Sequence, residues 1–328
     1  MQPFTYTRAP DEDRAVAAAR EAGAHYLAGG TSLVDLMRLD VMRPTGLVDI
    51  SRLPLGLVEP HTDGSVRIGA MVRNSDLAHH PVITERYPAL RQALLSGASP
   101  QLRNMATVGG NVLQRTRCSY FRDAASPCNK RQPGAGCAAQ GGYTRMHAVL
   151  GGSEHCIAVH PSDMCVALVA LDAVVQSRMA NGTRRSTPFE SFHSVPGDTP
   201  HVETILQPGE LITHVDLPVS PFAAHSRYVK VRDRASYAFA LSSAAVALEV
   251  QNGTIRSARV ALGGVATKPW RSREAERALI GRPATIDTYR SAGAAAMSHA
   301  VARGQNEFKI ALAARTIARA LQEIGRGT

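Results

Sequence analysis

The chain is poor in aromatic side chains, which make up 5% of its 328 residues and include a single tryptophan. A nucleic-acid module that interleaves basic and aromatic residues is therefore disfavoured, even at a net charge of +10. No apolar run approaches the roughly 18–20 residues of a membrane helix. The stretch MQPFTYTRAPDEDR at the N-terminus lacks a basic region followed by an apolar one, so no signal peptide is expected on this chain. P-loop, H-E-x-x-H and G-x-S-x-G patterns are missing, which argues against a conventional hydrolase. Tight C-x2–4-C pairs, the usual mark of structural zinc, are absent. So is the compact ferredoxin spacing.

What is present is a composition that can bury a core: 44% hydrophobic and 20% charged. At roughly 150 residues per domain, the length suggests about two domains or three small ones. Residues 1–55 read as a small α/β unit. It has strands near Phe4 and His25, a helix from Asp11, a Gly-Gly turn at 29–30, a helix Leu33 to Arg38 and a strand from Gly46. A second unit spans 56–220. Its regular pattern breaks over about 115–160, an irregular, glycine-rich insertion long enough to be functional or disordered. A third unit, 221–328, holds two long strands and amphipathic helices at Glu274 to Leu279 and Glu307 to Ile324. Asn181-Gly182 and Asn252-Gly253 are hairpin signals; each also fits a glycosylation triplet, but the turn is the stronger reading.

Two Gly-Gly loops stand out. Ala28-Gly29-Gly30-Thr31-Ser32-Leu33 lies between a strand and a helix, where glycine backbone and hydroxyls suit an anion. A plain turn with Ser32 as helix cap, and Asp35 three residues on, fits equally well. Thr107-Val108-Gly109-Gly110-Asn111 is the second loop, and the pair suggests a dinucleotide, whose diphosphate needs donors from two directions. Gly134-Ala135-Gly136-Cys137-Ala138-Ala139 mimics a Rossmann turn, but no strand precedes it and Pro133 does, so it is rejected.

The five cysteines all fall between 118 and 165. Cys118, Cys128, Cys137 and Cys156 follow C-x9-C-x8-C-x18-C, single ligands on a long wrap, which suits a bulky iron–sulfur cluster. His147, His155 and His160 keep a mixed Cys/His zinc site open, and free thiols remain a third reading. Cys165 lies in an apolar helical segment and reads as a small core residue.

Ordered motifs run through the chain: LAGGTSLVDLM (27–37), GASPQLRNMATVGGNVLQRTRC (97–118), PCNKRQPGAGCAA (127–139), HPSDM (160–164), PGELIT (208–213), KVRDRASYAFAL (230–241) and GGVATKPWR (263–271). Together they resemble the FAD-binding subunits of bacterial molybdenum-containing aldehyde oxidoreductases, of the xanthine dehydrogenase family, and most nearly the periplasmic type. The resemblance covers essentially the whole chain. It implies an α+β fold: a vanillyl-alcohol-oxidase (PCMH)-type FAD-binding domain of two α/β subdomains, then a C-terminal α+β domain like that of CO dehydrogenase flavoproteins.

The same resemblance implies a cofactor site. Tyr26, Leu27, Ala28, Gly29, Gly30, Thr31, Ser32, Leu33 and Val34 would cradle the FAD diphosphate. Thr107, Gly109, Gly110 and Asn111 would form a second wall. Asp163 would hydrogen-bond FAD, Ile212 would touch it through its backbone, and Lys230 would reach the flavin ring or its surroundings. A minority of the wider family, including this type and the 4-hydroxybenzoyl-CoA reductase type, carry a [4Fe–4S] cluster here. Cys118, Cys128, Cys137 and Cys156 match its ligand positions. Cys165 does not belong to that set.

The implied role is electron relay, with no catalytic residue on this chain. A large molybdenum-cofactor subunit would oxidise the aldehyde to a carboxylic acid, and a small subunit with two [2Fe–2S] clusters would pass the electrons to FAD, in a heterotrimer. The compartment would be the periplasm, by co-export with a signal-bearing partner, or the cytoplasm. A zinc-stabilised nucleic-acid-binding module and a stand-alone flavoprotein oxidase are the competing classes; no substrate-pocket residues for the latter can be identified.

The charge is uneven. Residues 101–147 hold seven basic groups and one acid, and residues 266–328 hold eleven basic and five acidic. The first concentration is expected to offset anionic cofactors.

Overall fold

The computed structural model describes residues 1–325. Three sheets follow one another along the chain. The first unit contains β1 (Thr5–Arg8), α1 (Glu12–Ala18), β2 (Ala24–Leu27), α2 (Leu33–Arg38) and β3 (Gly46–Asp49). Its strands pair in parallel in the order β1-β3-β2. Helical crossovers supply the reversal that parallel pairing requires.

The second unit opens with β4 (Val58–Pro60) and β5 (Val66–Gly69). The helices α3 (Asn74–His79), α4 (Pro81–Arg86), α5 (Pro88–Ser96), α6 (Pro100–Met105), α7 (Val108–Val112) and α8 (Ser119–Arg122) follow. After the insertion come α9 (Asp163–Ala170), β6 (Val174–Arg178), β7 (Arg184–Pro188), α10 (Phe189–Phe192) and β8 (Leu211–Leu217). The sheet is antiparallel in the order β4-β5-β8-β6-β7. All eight residues of α9 are buried, as its nearly continuous apolar sequence requires.

The third unit has β9 (Ser226–Val231), β10 (Ser242–Gln251), β11 (Thr254–Gly263), β12 (Trp270–Arg271), α11 (Arg273–Leu279), α12 (Ile286–Ala296) and α13 (Phe308–Gly325). Strand order is β12-β11-β10-β9, antiparallel. The hairpin at Asn252-Gly253 turns with both residues left-handed, at φ 51° and 73°, which is why Asn-Gly is favoured there.

This third sheet is covered on both faces, and side-chain alternation sorts its residues between two cores. Ala245, Ala261 and Tyr228 join the core built around α5 and α9. Ala244, Val246, Val260 and Leu262 pack against α11, α12 and α13. Small residues let the sheet approach α9 closely: a Cβ on Gly263 would lie 2.5 Å from Val166 Cγ2. The third unit thus closes over the second.

The insertion forms four-residue α8 and then, up to α9, only turns and isolated bridges. It is nevertheless anchored. Phe121 and Cys128 pack with Leu36 and Val41 of the first unit, and Asp35 of α2 forms ion pairs with Arg122 at 2.8 Å and Arg117 at 3.4 Å.

Candidate functional site

A cleft of about 290 Å³ opens where the first two units meet. Its first wall is the turn from β2 into α2, contributing Tyr26 and Ala28 through Leu33. Gly30 is left-handed at φ 72°, and Leu27 and Val34 pack beneath it: a Cβ there would lie 3.5 Å from Leu27 and 3.3 Å from Val34. Those two expected residues therefore support the turn, and only the others line the cleft. A Cβ on Gly29 would fall 2.0 Å from the Met105 carbonyl oxygen, so only glycine lets the turn sit against the end of α6.

The second wall differs from the expected loop. Val108–Val112 is the short helix α7, and Thr107 is its N-cap, accepting the Gly110 amide at 3.2 Å. Thr107, Gly109 and Gly110 line the cleft. Asn111 turns away, and its Oδ1 accepts the Ser162 hydroxyl at 2.7 Å. The strand start at Leu211 and Ile212 closes a third side. Across it, the Tyr26 hydroxyl donates to the Gly209 carbonyl at 2.8 Å, and burial pushes that phenol above its usual range.

Ser32 bears on the choice between cap and anion donor. It occupies the N-cap position of α2 but makes no capping hydrogen bond. Its hydroxyl is buried with no partner in the protein, although it lines the cleft. Asp35, its expected companion, is turned instead to Arg122 and Arg117, and the Arg122 contact holds its carboxyl below the ordinary range. A buried hydroxyl without a partner is costly unless a ligand takes it. The glycine turn, its close seat against the Met105 carbonyl and this hydroxyl together fit a diphosphate.

A neighbouring cavity of about 300 Å³ shares Leu113 and Arg115 with the cleft. Through Thr116 and His160 it joins a third cavity of about 400 Å³. That third space lies between the second and third units and is lined by Asp163, Phe239, Ser243 and Gly264, among others. Asp163 begins α9, and its carboxylate accepts Tyr228 Oη at 2.5 Å and Lys230 Nζ at 2.8 Å. Lys230 also donates to the Ser96 carbonyl at 3.1 Å. Its charge is therefore held behind Asp163, and it does not line the cavity itself.

The four expected cysteines come together around one small pocket, with Tyr120, Phe121, Asn129 and Lys130. Cys118 precedes α8, Cys128 and Cys137 face each other in an antiparallel bridge, and Cys156 lies in irregular chain before α9. Burial pushes the Cys118 thiol up to about 12, with the nearby Cys128 and Cys156 adding to it. Burial raises Cys156 as well, and Cys137 and Cys128 contribute. The sulfurs thus feel one another. Yet no three of them lie within 4.8 Å of each other; among the described residues the only group that close is His160, Cys165 and His193. One tetrahedral Zn²⁺, with Zn–S of about 2.3 Å, would draw four sulfurs to about 3.8 Å apart. The four sulfurs are thus not drawn in to the spacing one such ion would impose. Cys118 also backs onto the third cavity, which it lines.

Of two groups near these sites, His147 is legible in the sequence only as a member of a mixed Cys/His zinc set, and Lys309 is not legible at all. His147 places Nε2 3.2 Å from Cys118 Sγ, and burial lowers its imidazole to about 4, so it is neutral. Lys309 is fully buried on α13, donates to the Gly264 carbonyl at 2.7 Å, and is lowered by burial to about 7. Lone charged and imidazole residues carry no motif; only packing brings them to the site.

The expected electrostatic compensation is mostly internal to the protein. Of the seven basic residues in 101–147, five pair with carboxylates: Arg115 and Lys130 with Glu203, Arg117 and Arg122 with Asp35, and Arg145 with Asp233. Local carboxylates from other segments, invisible in a window count, take up the charge.

Among the described residues no helix is long and apolar enough to cross a membrane. Residues 2–220 match the model for the FAD binding domain in molybdopterin dehydrogenase, and residues 227–324 that for the CO dehydrogenase flavoprotein C-terminal domain. The chain is 51% identical, over 98% of its length and 98% of the relative's, to aldehyde oxidoreductase FAD-binding subunit PaoB of Escherichia coli. It is 29% identical to the glyceraldehyde dehydrogenase medium chain of Sulfolobus acidocaldarius, over 80% of this chain and 75% of that one. Its fold matches a chain of the carbon monoxide dehydrogenase from Hydrogenophaga pseudoflava with a TM-score of 0.77 at 27% identity, covering 99% and 98% of the two chains. With both halves matched and the cleft built as described, the chain belongs to the FAD-binding subunit family of the molybdopterin dehydrogenases.

Proposed function

We propose that this chain is the FAD-binding electron-transfer subunit of a molybdenum-dependent aldehyde oxidoreductase. Electrons from a large molybdenum-cofactor subunit and a small [2Fe–2S] subunit would pass through it to a final acceptor, in a heterotrimer. The observation that carries the reading is the cleft, in which the partnerless Ser32 hydroxyl faces the glycine turn at 29–30. The high identity to an aldehyde oxidoreductase subunit supports the reaction class.

FAD, when bound, supplies the switch between one- and two-electron transfer. The protein's part is to hold and tune it. Gly29 and Gly30 bring backbone close to the diphosphate, and Ser32 donates a hydroxyl to it. Thr107, Gly109 and Gly110 close the opposite wall, and Ile212 the side. Asp163 presents its carboxylate to the third cavity with Tyr228 and Lys230 holding it in place. The Lys230–Asp163 pair is formally neutral, so it acts on the cavity as an oriented dipole and not as a free positive charge.

The four cysteines 118, 128, 137 and 156 are proposed to hold a [4Fe–4S] cluster, which when bound supplies one-electron transfer. The shared pocket supports this set. His147 would donate Nε2–H to Cys118 and so favour the more electron-rich state of that thiolate. The Asp35–Arg122 contact fixes the insertion to the helix that follows the glycine turn, so the two sites keep a constant separation.

The test is to add aldehyde to the isolated chain and to the chain assembled with its two partners. Flavin absorbance should bleach only in the assembly. Aldehyde oxidation by the isolated chain would overturn the relay and favour a stand-alone oxidase.

A further inference from the structure

His160, Cys165 and His193 stand together outside both the cleft and the four-cysteine pocket, with their ligand atoms within 4.8 Å of one another. They come from three segments: His160 just before α9, Cys165 in its first turn, and His193 immediately after α10. The imidazole rings meet edge to face, with centroids 4.6 Å apart.

Their hydrogen bonds leave the inner atoms bare. His193 gives Nε2–H to the Val112 carbonyl at 3.0 Å, which fixes its tautomer and leaves a lone pair on Nδ1. That Nδ1 is buried and has no partner. His160 Nε2 is likewise buried without a partner, and its Nδ1 meets only the Ser162 amide at a long 3.4 Å. Cys165 is 0% exposed, and its thiol has one weak contact, the Asn111 carbonyl at 3.9 Å. Buried polar atoms are normally paired. Two ring nitrogens left bare beside a buried thiol point to an occupant.

We infer that His160, Cys165 and His193 form a binding site for one thiophilic metal ion, Zn²⁺ or Cu⁺. Two neutral imidazoles and a thiolate select such an ion over Mg²⁺ or Ca²⁺, which need oxygen ligands. On binding, the Cys165 S–H bond breaks, its electron pair forms the metal–sulfur bond and one proton leaves to solvent. His160 carries its proton on Nδ1 in this state and gives up the long contact to Ser162. The ion enters by the cavity of about 300 Å³ that His160 and His193 line. Once bound, it ties α9 to the segment after α10, beside the α7 wall of the cleft.

The test uses the full-length chain, stripped with a chelator and titrated with Zn²⁺, and separately with Cu⁺ under anaerobic conditions. The four cysteines also offer thiolates to these ions, so the readout is a difference. Wild type should bind one equivalent more than Cys165→Ala, whereas Cys128→Ser should retain that equivalent. The ion that gives the one-equivalent difference at the lower free concentration is the preferred one. His193→Gln, which keeps a donor for Val112, provides a second variant should Cys165→Ala fold poorly, and should lose the same equivalent. Metal addition should raise the melting temperature of wild type more than that of either variant. Equal stoichiometry in wild type and both variants, for both ions, overturns the site.

Discussion

Lys230 Nζ lies 2.8 Å from Asp163 Oδ2, and the two side chains are only 4% and 8% exposed. An ion pair this buried is weak as a source of net stability but strong as a constraint. Breaking it leaves one charge without its counterion, at about 3–5 kcal/mol. Lys230→Met should therefore lower unfolding stability by about that amount in denaturant titration. Adding Asp163→Asn should restore most of it, because the stranded charge is gone. Failure of the double variant to recover would show that Lys230 stabilises the fold through its bond to Ser96.

Ser32→Ala separates a ligand contact from a helix cap. An ordinary cap substitution costs about 1 kcal/mol of fold stability. Here the hydroxyl makes no cap bond, so the FAD-free protein should melt as wild type does. FAD affinity should fall about tenfold, the loss expected for one hydrogen bond to a charged group at about 1.5 kcal/mol or more. Equilibrium flavin release, followed by fluorescence, measures it. Gly30→Glu should go further and empty the cleft, since the acidic side chain meets the diphosphate.

Cys128→Ser should abolish the broad iron–sulfur absorbance while leaving the flavin bands. Iron analysis checks it, and four irons per chain surviving the change would show that the ligand set is wrong. His147→Ala should keep the irons but shift the cluster's reduction potential downward, since it removes the group 3.2 Å from Cys118 Sγ.

Lys309 makes stability depend on pH. Burial lowers its folded-state value to about 7, against an ordinary 10.5. Between those values the unfolded chain binds a proton that the folded chain does not, so stability rises with pH. Below pH 7 both states are protonated and the full penalty of a buried ammonium is present. Wild type should gain on Lys309→Met by up to about 1.4 kcal/mol per pH unit between pH 7 and 10.5. Denaturant midpoints of the two proteins across that window test it; a constant difference would place the folded value outside the window.

Local pattern carried much of the reading. The helix at Leu33–Arg38, both Asn-Gly hairpins and the irregular insertion follow from periodicity and turn chemistry. Gly109 and Gly110 read as loop because glycine lowers helix propensity, but the Thr107 cap outweighs that over one short helix. The helix Ile286–Ala296 and the strand Leu211–Leu217 left too faint a signal to be drawn from pattern alone.

The sequence by itself determined the glycine turn and the family, because these depend on residues near one another in the chain and on ordered motifs. Tertiary structure decided the rest. It freed the Ser32 hydroxyl by turning Asp35 to Arg122, put Lys230 behind Asp163, and spent most of the basic excess near the cysteines on distant carboxylates. It also set Cys165, which reads as a plain core residue, against two bare imidazoles. Each depends on atoms from separate segments meeting at a few ångströms, and that distance is a property of packing.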